Sequence, residues 1–495
     1  MPAAMPGTLP GTVPLLLSQT GVFSNTPAMI PTNGLIPYQP NVQLFSDNAS
    51  KIRYLGIPYN GGSITPDQQI DFAPTGTWTF PNGTVFVKTF ELQTNLTITN
   101  SLLRLETRLL VRDRNGGVYG VTYKWRPDYS DADLLTASSN EPVVITTATG
   151  TVTNTWYYPS PADCLTCHTP VANYVLGVNT RQLNANLTYP STGVTDNELR
   201  TLNRLGLLNP AFNESAITNF EALSALTNTA ASFQQRARSY LDANCAQCHQ
   251  PGGTGPTFDA RYDTPLASQD ITNYPAKFSL GNDNESIVRD NDIWRSSLYA
   301  RMNIVDETNL ASSIQMPPLA RLLIDTNAVV VMGAWIDSLP GLPTLAPPTI
   351  TPDGGTFESS VTVILQSTND SATLYYTIDG TLPTTNSFLY SNPFVLTNST
   401  TVTASAFGTN FNNSVAVSGL FIVQPLYFTS AAFLENGQLQ LGFDGLAGNS
   451  YVLEATTNLV NWVPVSTNMA TTNLFNFVDP DASNFPYRFY RVLQQ

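Results

Sequence analysis

Cysteine and histidine are scarce in this chain, which has four cysteines and two histidines among 495 residues. Charged residues are also few, at 12% of the total, and they leave a net charge of −14. The 22 lysines and arginines are spread along the sequence, whereas a nucleic-acid partner needs a clustered basic surface. The longest apolar run, residues 328–336, is far shorter than the roughly 20 residues that a membrane-spanning helix needs. These features argue against a nucleic-acid-binding protein and against a transmembrane helix.

The start of the sequence lacks the basic segment and apolar stretch of a secretory signal, because the first basic residue is Lys51 and the apolar run at 15–17 is brief. We therefore expect a mature or truncated end here. Thr, Asn, Ser, Gly and Pro fill most polar positions, a composition that suits a secreted, β-rich protein. We expect a bacterial protein of the periplasm, the extracellular space or the cell surface.

All the cysteines and histidines belong to two copies of the pattern Cys-x-x-Cys-His, at 164–168 and 245–249. Two thiols three residues apart can each add to a vinyl group of haem, and the adjoining histidine can then bind the iron. The pattern predicts two haem c groups with iron, attached at two sets of residues: Cys164, Cys167 and His168, and Cys245, Cys248 and His249.

Two other uses of these cysteines are open. A structural zinc ion could take four thiolates from the two Cys-x-x-Cys pairs, but that leaves both histidines unexplained. A thioredoxin-like redox pair normally follows a strand in a βαβ context, which neither motif has.

The second motif is preceded by SFQQRARSYLDAN and is followed, further along, by QMPPLARL. This arrangement resembles the class of cytochrome c domains whose distal iron ligand is the methionine of such a loop. The resemblance implies that Met316 is the sixth ligand of the haem on His249. A thioether is a plausible soft ligand in its own right, and two prolines would stiffen its loop. The alternative is that Met316 fills space in the core.

No third histidine exists to be the distal ligand of the first haem. We favour Met302 for this position; Met332, a lysine or tyrosine, an open position and a ligand from another chain are the alternatives. A buried core methionine is an equally good interpretation of Met302. Arg181 and Arg301 are candidates to pair with haem propionates, since guanidinium binds carboxylate through two bonds, although either could form a surface ion pair instead.

Three smaller features have ordinary explanations beside the functional ones. Trp294 and Trp335 could wall a haem, but packing in the core is the commoner role. The acidic loop at 281–292 could bind Ca²⁺, but it lacks a recognised ligand spacing and is better explained as a solvated loop.

The periodicity of apolar residues predicts a multidomain protein. Alternation over 84–92 and 103–111 predicts an N-terminal β-sandwich at 1–158. Helical spacing near 199–205, 233–241 and 327–339 predicts a mainly α cytochrome c region at 159–342. After a proline-rich linker, renewed alternation predicts two small immunoglobulin-like β domains, at 343–426 and 427–495.

Longer stretches carry two further resemblances. Residues 1–342 are similar to two-haem c-type cytochromes with an N-terminal β domain, through GLIPYQPNVQLFSDNASKIRY, GTWTFPNGTVFVKTFEL, LETRLLVRDRNGGVYGVTYKW, CLTCH with GVNTRQLN, and CAQCH with QMPPLA. Residues 348–425 resemble the non-catalytic accessory β domain of chitobiases and β-hexosaminidases, through LYYTIDGTLPTTNSFLYSNPFVLTNSTTVTASAF. The last 70 or so residues look like a short β module of bacterial surface proteins.

The function expected from these features is electron transfer between redox partner proteins, such as a dehydrogenase and another cytochrome. A two-haem peroxidase-like enzyme with one open haem is a competing hypothesis, although no distal histidine is present to act as its acid and base. A haem-bearing filament or surface-layer subunit is a third, and it leaves a homo-oligomer open. We favour the electron carrier without enzymatic activity.

Overall fold

The structure is a computed structural model that describes residues 13–59, 61–255, 257–305, 314–318, 321–424 and 426–495. The chain divides into two compact units after Gly341. Strands make up 35% of the structure and helices 14%.

The first unit is built around one six-stranded antiparallel sheet with the strand order β3-β4-β6-β7-β8-β9. Its β-branched and aromatic residues alternate between two buried faces, as strands of a covered sheet do. The strands of this unit are β1 (Phe23–Asn25), β2 (Ile30–Pro31), β3 (Leu35–Pro37), β4 (Ser50–Gly56), β5 (Ile70–Asp71), β6 (Val85–Gln93), β7 (Leu102–Arg112), β8 (Val118–Trp125), β9 (Ala132–Leu135), β10 (Ser139–Thr147), β11 (Gly150–Tyr158), β12 (Asn186–Thr188), β13 (Thr195–Asn197) and β14 (Leu208–Asn209).

The predicted N-terminal β-sandwich is therefore wrong as an architecture. A single large sheet forms this region, and the hairpin of β10 and β11 is a separate two-stranded sheet. The hairpin packs against one end of the large sheet through Trp156, whose ring lies 5.7 Å from that of Phe90. A second full sheet is not needed, because segments from 159–342 cover the large sheet instead.

Among the described residues, six α-helices follow the sheet along the chain. They are α1 (Pro161–Cys167), α2 (Thr180–Leu183), α3 (Glu198–Arg204), α4 (Phe233–Asn244), α5 (Ser297–Met302) and α6 (Thr326–Asp337). α4 and α6 pack against each other through a buried cluster that includes Leu241, Met332 and Trp335. Each of these two helices has 12 residues, and the other four are shorter.

The prediction of a mainly α region at 159–342 is wrong. The predicted helices exist as α3, α4 and α6, but most of the chain between them has no regular structure. Residues 245–255 and 257–296 consist mostly of turns and bridges that are held by side chains. Asp259, for example, accepts hydrogen bonds from Arg261 and Thr264. Glycine and proline in PGGTG at 251–255 disfavour a helix there.

The second unit contains fourteen described strands in four sheets. Two sheets with the orders β15-β17-β20 and β16-β22-β21-β18-β19 enclose one core, and two three-stranded sheets, β23-β24-β27 and β26-β25-β28, enclose another. The strands are β15 (Thr349–Thr351), β16 (Gly355–Glu358), β17 (Val361–Gln366), β18 (Thr373–Thr377), β19 (Phe388–Leu389), β20 (Phe394–Leu396), β21 (Thr400–Phe407), β22 (Val417–Gln424), β23 (Tyr427–Phe433), β24 (Leu439–Asp444), β25 (Ser450–Thr456), β26 (Val463–Met469), β27 (Leu474–Asp479) and β28 (Phe489–Gln494).

Within the described ranges, no helix combines the length and the apolar character that crossing a membrane requires.

Candidate functional site

The first motif lies in the short helix α1, which begins at a capping box. The Ser160 hydroxyl accepts a hydrogen bond from the Asp163 backbone N–H, and the Asp163 carboxylate accepts one from the Ser160 N–H at 2.8 Å. Tyr157 also donates its hydroxyl to Asp163, at 2.7 Å. Pro161 stands at the start of the helix, where a missing N–H costs nothing. Both cysteines of the motif are thereby placed on one short, well-anchored turn.

α1 lies directly on strand β8 at a glycine. A Cβ atom added to Gly120 would be 2.6 Å from the Cβ and 2.7 Å from the sulfur of Cys164. No real Cβ contact is that short, so only glycine allows the helix to come this close to the sheet. Burial raises the pKa of the Cys164 thiol.

His168 ends α1 with its imidazole held in one orientation. Its Nδ1 lies 2.5 Å from the Tyr174 carbonyl oxygen, so Nδ1 carries the proton. Nε2 is therefore left with the lone pair that a metal ion binds, which is the arrangement usual for a histidine ligand. Burial lowers the pKa of His168 to about 4, and the ring is neutral near pH 7.

The second motif begins where α4 ends, and the preceding residue fixes that end to another segment. Asn244 accepts a hydrogen bond from the Phe45 N–H at 2.8 Å and donates one to the Gln43 carbonyl at 3.3 Å. Asn244 is fully buried, so both bonds replace contacts with water. Cys245 then packs in the core between α4 and α6.

His249 is packed between a glycine and an aromatic ring. Its imidazole stacks on Phe258 with ring centroids 4.2 Å apart, and a Cβ on Gly255 would be 3.0 Å from the ring. Burial lowers the pKa of His249 to about 4, although a hydrogen bond to the Gly255 carbonyl opposes this. The ring is neutral near pH 7, which is the form that binds a metal ion.

The fold brings the two motifs together. The Cys167 and Cys248 thiols share a hydrogen bond, which lowers the pKa of Cys248 and raises that of Cys167. Just beyond them, Val171 lies within van der Waals distance of a Cβ placed on Gly252. Two stretches that are distant in sequence thus form one continuous site.

A cavity opens beside the first motif. Its volume is about 160 Å³, and it is open to solvent on one side. Its lining combines apolar side chains with the motif itself and three basic residues from the sheet. These residues include Val42, Leu44, Arg53, Phe86, Lys88, Arg108, Leu110, Cys164, Cys167, His168, Val175 and Leu176, with Ala243 and Gln247 from the second-motif side.

The lining of the cavity matches an apolar group that carries acidic substituents. Its apolar wall is provided by side chains such as Phe86 and Leu110. Among the described residues, Nη1 of Arg53 is buried with no hydrogen-bond partner. A buried guanidinium nitrogen of this kind is costly unless an acceptor reaches it. A haem attached at Cys164 and Cys167 would supply both the apolar ring and carboxylate acceptors.

The loop that carries Met316 is held by an arginine. Buried Arg321 donates to the carbonyl oxygens of Met316 at 3.2 Å, of Arg301 at 3.0 Å and of Ile304 at 2.9 Å. Its charge also lowers the pKa of the Cys245 thiol against the dominant effect of burial. The loop therefore lies on the same side of the unit as the second motif.

Asp47 ties this loop to the segment that also holds α4. Its carboxylate accepts hydrogen bonds from the backbone N–H groups of Leu322 and Leu323, each at 2.8 Å. Asp47 adopts a left-handed backbone conformation with φ of 48° and is buried. The stretch 43–47 thus contacts both Asn244, the residue before the second motif, and residues 322–323, which follow Met316 in the chain.

The two predicted propionate partners have other contacts. Arg181 is buried in ion pairs with Asp242 at 2.9 Å and Asp263 at 2.7 Å. Arg301 donates to the carbonyl oxygens of Ile314 and Phe278, at 3.1 and 2.9 Å. These contacts give both arginines a role in joining segments; their pairing with propionates stays a prediction.

Met302 lies in the buried cluster between α4, α5 and α6, together with Met332 and Trp335. The cavity beside His168 is instead lined by Tyr38, Tyr157 and Lys88 among its polar residues. Met302 as the distal ligand of the first haem stays a prediction.

The acidic loop at 281–292 uses its carboxylates internally. Asp283 and Asp292 form ion pairs with buried Arg295, at 3.1 and 3.0 Å. In the part of the chain that the structure describes, no group of three or more His, Cys, Asp or Glu side chains is arranged to hold a metal ion.

Comparison with known proteins matches one segment of the chain to a family. Residues 352–418 match the family model of the chitobiase/β-hexosaminidase C-terminal domain, which confirms that part of the sequence resemblance. No curated protein matches the chain. Among solved structures, the chain is similar to the human OSCAR ligand-binding domain, with 15% identity and a TM-score of 0.14, over 27% of this chain and 82% of that chain. The similarity of residues 1–342 to two-haem cytochromes stays a prediction.

Proposed function

We propose that the chain is an exported c-type cytochrome with two covalently attached haems that carries electrons between redox partner proteins. The observation that carries the proposal is the meeting of the two Cys-x-x-Cys-His motifs, whose Cys167 and Cys248 thiols are in contact. When bound, two haems at these positions would supply iron centres that accept and release single electrons.

The protein's own residues serve this function by fixing ligands and excluding water. The Tyr174 carbonyl holds the His168 ring so that Nε2 is available, and Phe258 and Gly255 confine His249. Arg321 and Asp47 hold the backbone of the Met316 loop. A ligand that is already held in position needs little rearrangement when the charge on the metal changes.

The β modules of the second unit are proposed to act in attachment or display at the cell surface. The match of residues 352–418 to an accessory domain supports a role outside catalysis. The redox partners themselves, a dehydrogenase or another cytochrome, are part of the proposal.

The intact mass of protein produced in a host with the cytochrome c maturation machinery tests this function. The wild type should carry two haems, the double variant Cys164→Ala/Cys167→Ala should carry one, and Cys245→Ala/Cys248→Ala should also carry one. Met469→Ala, which changes an exposed side chain in β26, should keep both. Colourless protein that contains Zn²⁺ would instead support the four-thiolate zinc site.

A peroxidase-like enzyme is the second candidate, because Met302 lies in the buried cluster of α4, α5 and α6 and is not among the described residues that line the cavity beside His168. A high-spin ferric signal together with turnover of H₂O₂ would favour it over the electron carrier. Rapid, reversible reduction of both haems without such turnover would favour electron transfer.

A further inference from the structure

Three basic residues lie directly opposite one another on three adjacent strands of the large sheet. Arg53 on β4 pairs with Lys88 on β6, and Lys88 pairs with Arg108 on β7. Residues paired in this way project from the same face of an antiparallel sheet. Like charges in such positions repel, so this basic row, Arg53, Lys88 and Arg108, costs the sheet stability. Like charges are normally avoided at paired positions of a sheet, and a departure from this preference points to a functional site.

Only one member of the basic row is neutralised within the described residues. Arg108 binds Glu106 through two hydrogen bonds, at 3.0 and 2.6 Å. Lys88 forms no ion pair there, and burial together with the charges of Arg53 and Arg108 lowers its pKa well below its usual value. The row therefore presents two basic side chains, Arg53 and Lys88, that have no carboxylate partner among the described ion pairs.

Arg53 is the more deeply buried of the two. Its Nη2 reaches the Gln43 side-chain oxygen at 3.3 Å, while its Nη1 has no acceptor. Tyr38 and Glu198 act on the pKa of Arg53 from other segments and oppose the effect of burial, which lowers it. The Glu198 carboxylate accepts a hydrogen bond from the Gln39 N–H at 2.9 Å, and among the described ion pairs it has none with Arg53. Burial raises the pKa of Glu198 to about 8, so near pH 7 this group is mostly neutral.

The basic row faces the first motif. Arg53, Lys88 and Arg108 all line the cavity that also contacts Cys164 and His168. The wall of the same cavity is also apolar, with Phe86 and Leu110 on two of the same strands. A ligand whose chemistry matches this lining has an apolar ring next to the first motif and carboxylates at the basic row.

We propose that Arg53 and Lys88 bind the propionate carboxylates of the haem attached at Cys164 and Cys167. The inference rests on the proposed function, because it needs a haem at the first motif. Guanidinium and ammonium groups that are already desolvated bind carboxylates strongly, since little further water must be removed. The propionates would also give these two basic side chains the carboxylate partners that they lack.

This pairing has a consequence for the reduction potential. A cation near the iron disfavours the ferric state, which carries one more positive charge than the ferrous state. Removing that cation also leaves a propionate without its counter-ion, which again stabilises the ferric state. The reduction potential of the first haem should therefore fall when the charge of Arg53 or of Lys88 is removed.

The test is a spectroscopic redox titration of full-length protein carrying both haems. Arg53→Gln and Lys88→Gln should each lower the potential of one titration step, and the double variant should lower it further. The other step serves as an internal reference and should stay in place. Arg114→Gln, at an exposed turn of the same sheet, is the matched control and should move neither step.

Charge-conserving variants keep the test informative if a glutamine variant loses its first haem. Arg53→Lys and Lys88→Arg should retain two haems by mass and a potential near that of the wild type. The proposal is overturned if the double glutamine variant leaves the potentials of both steps unchanged. It is also overturned if Arg53→Lys lowers the potential as much as Arg53→Gln does. Wild-type protein that lacks a haem at Cys164 and Cys167 would refute the proposed function itself, a result seen by mass before any titration.

Discussion

Gly120 on strand β8 lies directly against Cys164 of helix α1: a Cβ on the glycine would be 2.6 Å from the cysteine Cβ. The contact is backbone to side chain across two rigid elements, so neither partner can move away without shifting the helix. The position of the first motif therefore depends on the absence of one methyl group in the sheet.

Gly120→Ala should displace α1 and destabilise the first unit by about 1–3 kcal/mol, the usual cost of overpacking a well-filled core. Urea unfolding followed by tryptophan fluorescence measures the loss, and intact mass reports whether the haem at Cys164 is still attached. Gly62→Ala is the control, because its Cβ meets nothing within 4 Å. Equal stability of the two variants would contradict the close contact.

Met316→Ala should abolish the long-wavelength absorbance band that is typical of methionine bound to ferric iron and should lower the potential of the second haem. The thioether is the ligand that would raise that potential, so its removal acts on one haem only. The absorption spectrum of the ferric protein checks the result. Met469→Ala should leave the band unchanged, and a Met316→Ala spectrum identical to that of the wild type would refute the ligand assignment.

Asp47→Asn should loosen the Met316 loop without touching the methionine. The carboxylate accepts hydrogen bonds from the backbone N–H groups of Leu322 and Leu323. The asparagine amide has one acceptor oxygen and can replace these bonds only in part. A buried N–H left unpaired costs about 1–3 kcal/mol. We expect a weaker methionine band that recovers at lower temperature, measured against Asp128→Asn, which changes an exposed turn. A band of unchanged strength would show that the loop is held by other contacts.

Stability should fall as the pH rises because of Glu198. Its pKa in the folded protein is about 8, above its ordinary value of 4.5, because of burial. A carboxyl group with a raised pKa contributes stability that is complete below the ordinary value and is lost as the pH rises through the folded value. Between about pH 5 and pH 8 the free energy of unfolding should therefore decrease with a slope of up to about 1.4 kcal/mol per pH unit from this group. Glu198→Gln should remove that component; a variant with the wild-type pH profile would contradict it.

The elements with strong periodicity were predictable from the sequence. The helices expected near 199–205, 233–241 and 327–339 are found as α3, α4 and α6, and the strands expected at 84–92 and 103–111 are β6 and β7. In each, one face is continuously apolar, which fixes the period and the buried side. The architecture could not be predicted in the same way. Apolar residues in the long loops of 245–296 are buried by tertiary contacts, and these residues show no periodicity in the sequence.

The residues of the cavity were missed for a different reason. A single sequence gives each strand but not the register between strands, so the alignment of Arg53, Lys88 and Arg108 was invisible. One signal was present: each basic residue occupies a position on the same face as an apolar neighbour two residues away, Leu55, Phe86 or Leu110. A charge at an inward position of three successive strands marks a polar feature within a core.

The order of segments along the chain has a consequence for how the site is assembled. β4, β6 and β7, which carry the basic row, all precede the first cysteine pair, and the second pair comes later still. A chain that is synthesised and exported with its N-terminus first can therefore form the basic row before any cysteine follows. Under the proposed function, a haem attached afterwards would meet a sheet that already separates basic from apolar positions, and the sheet would then set the orientation in which the haem is joined to Cys164 and Cys167.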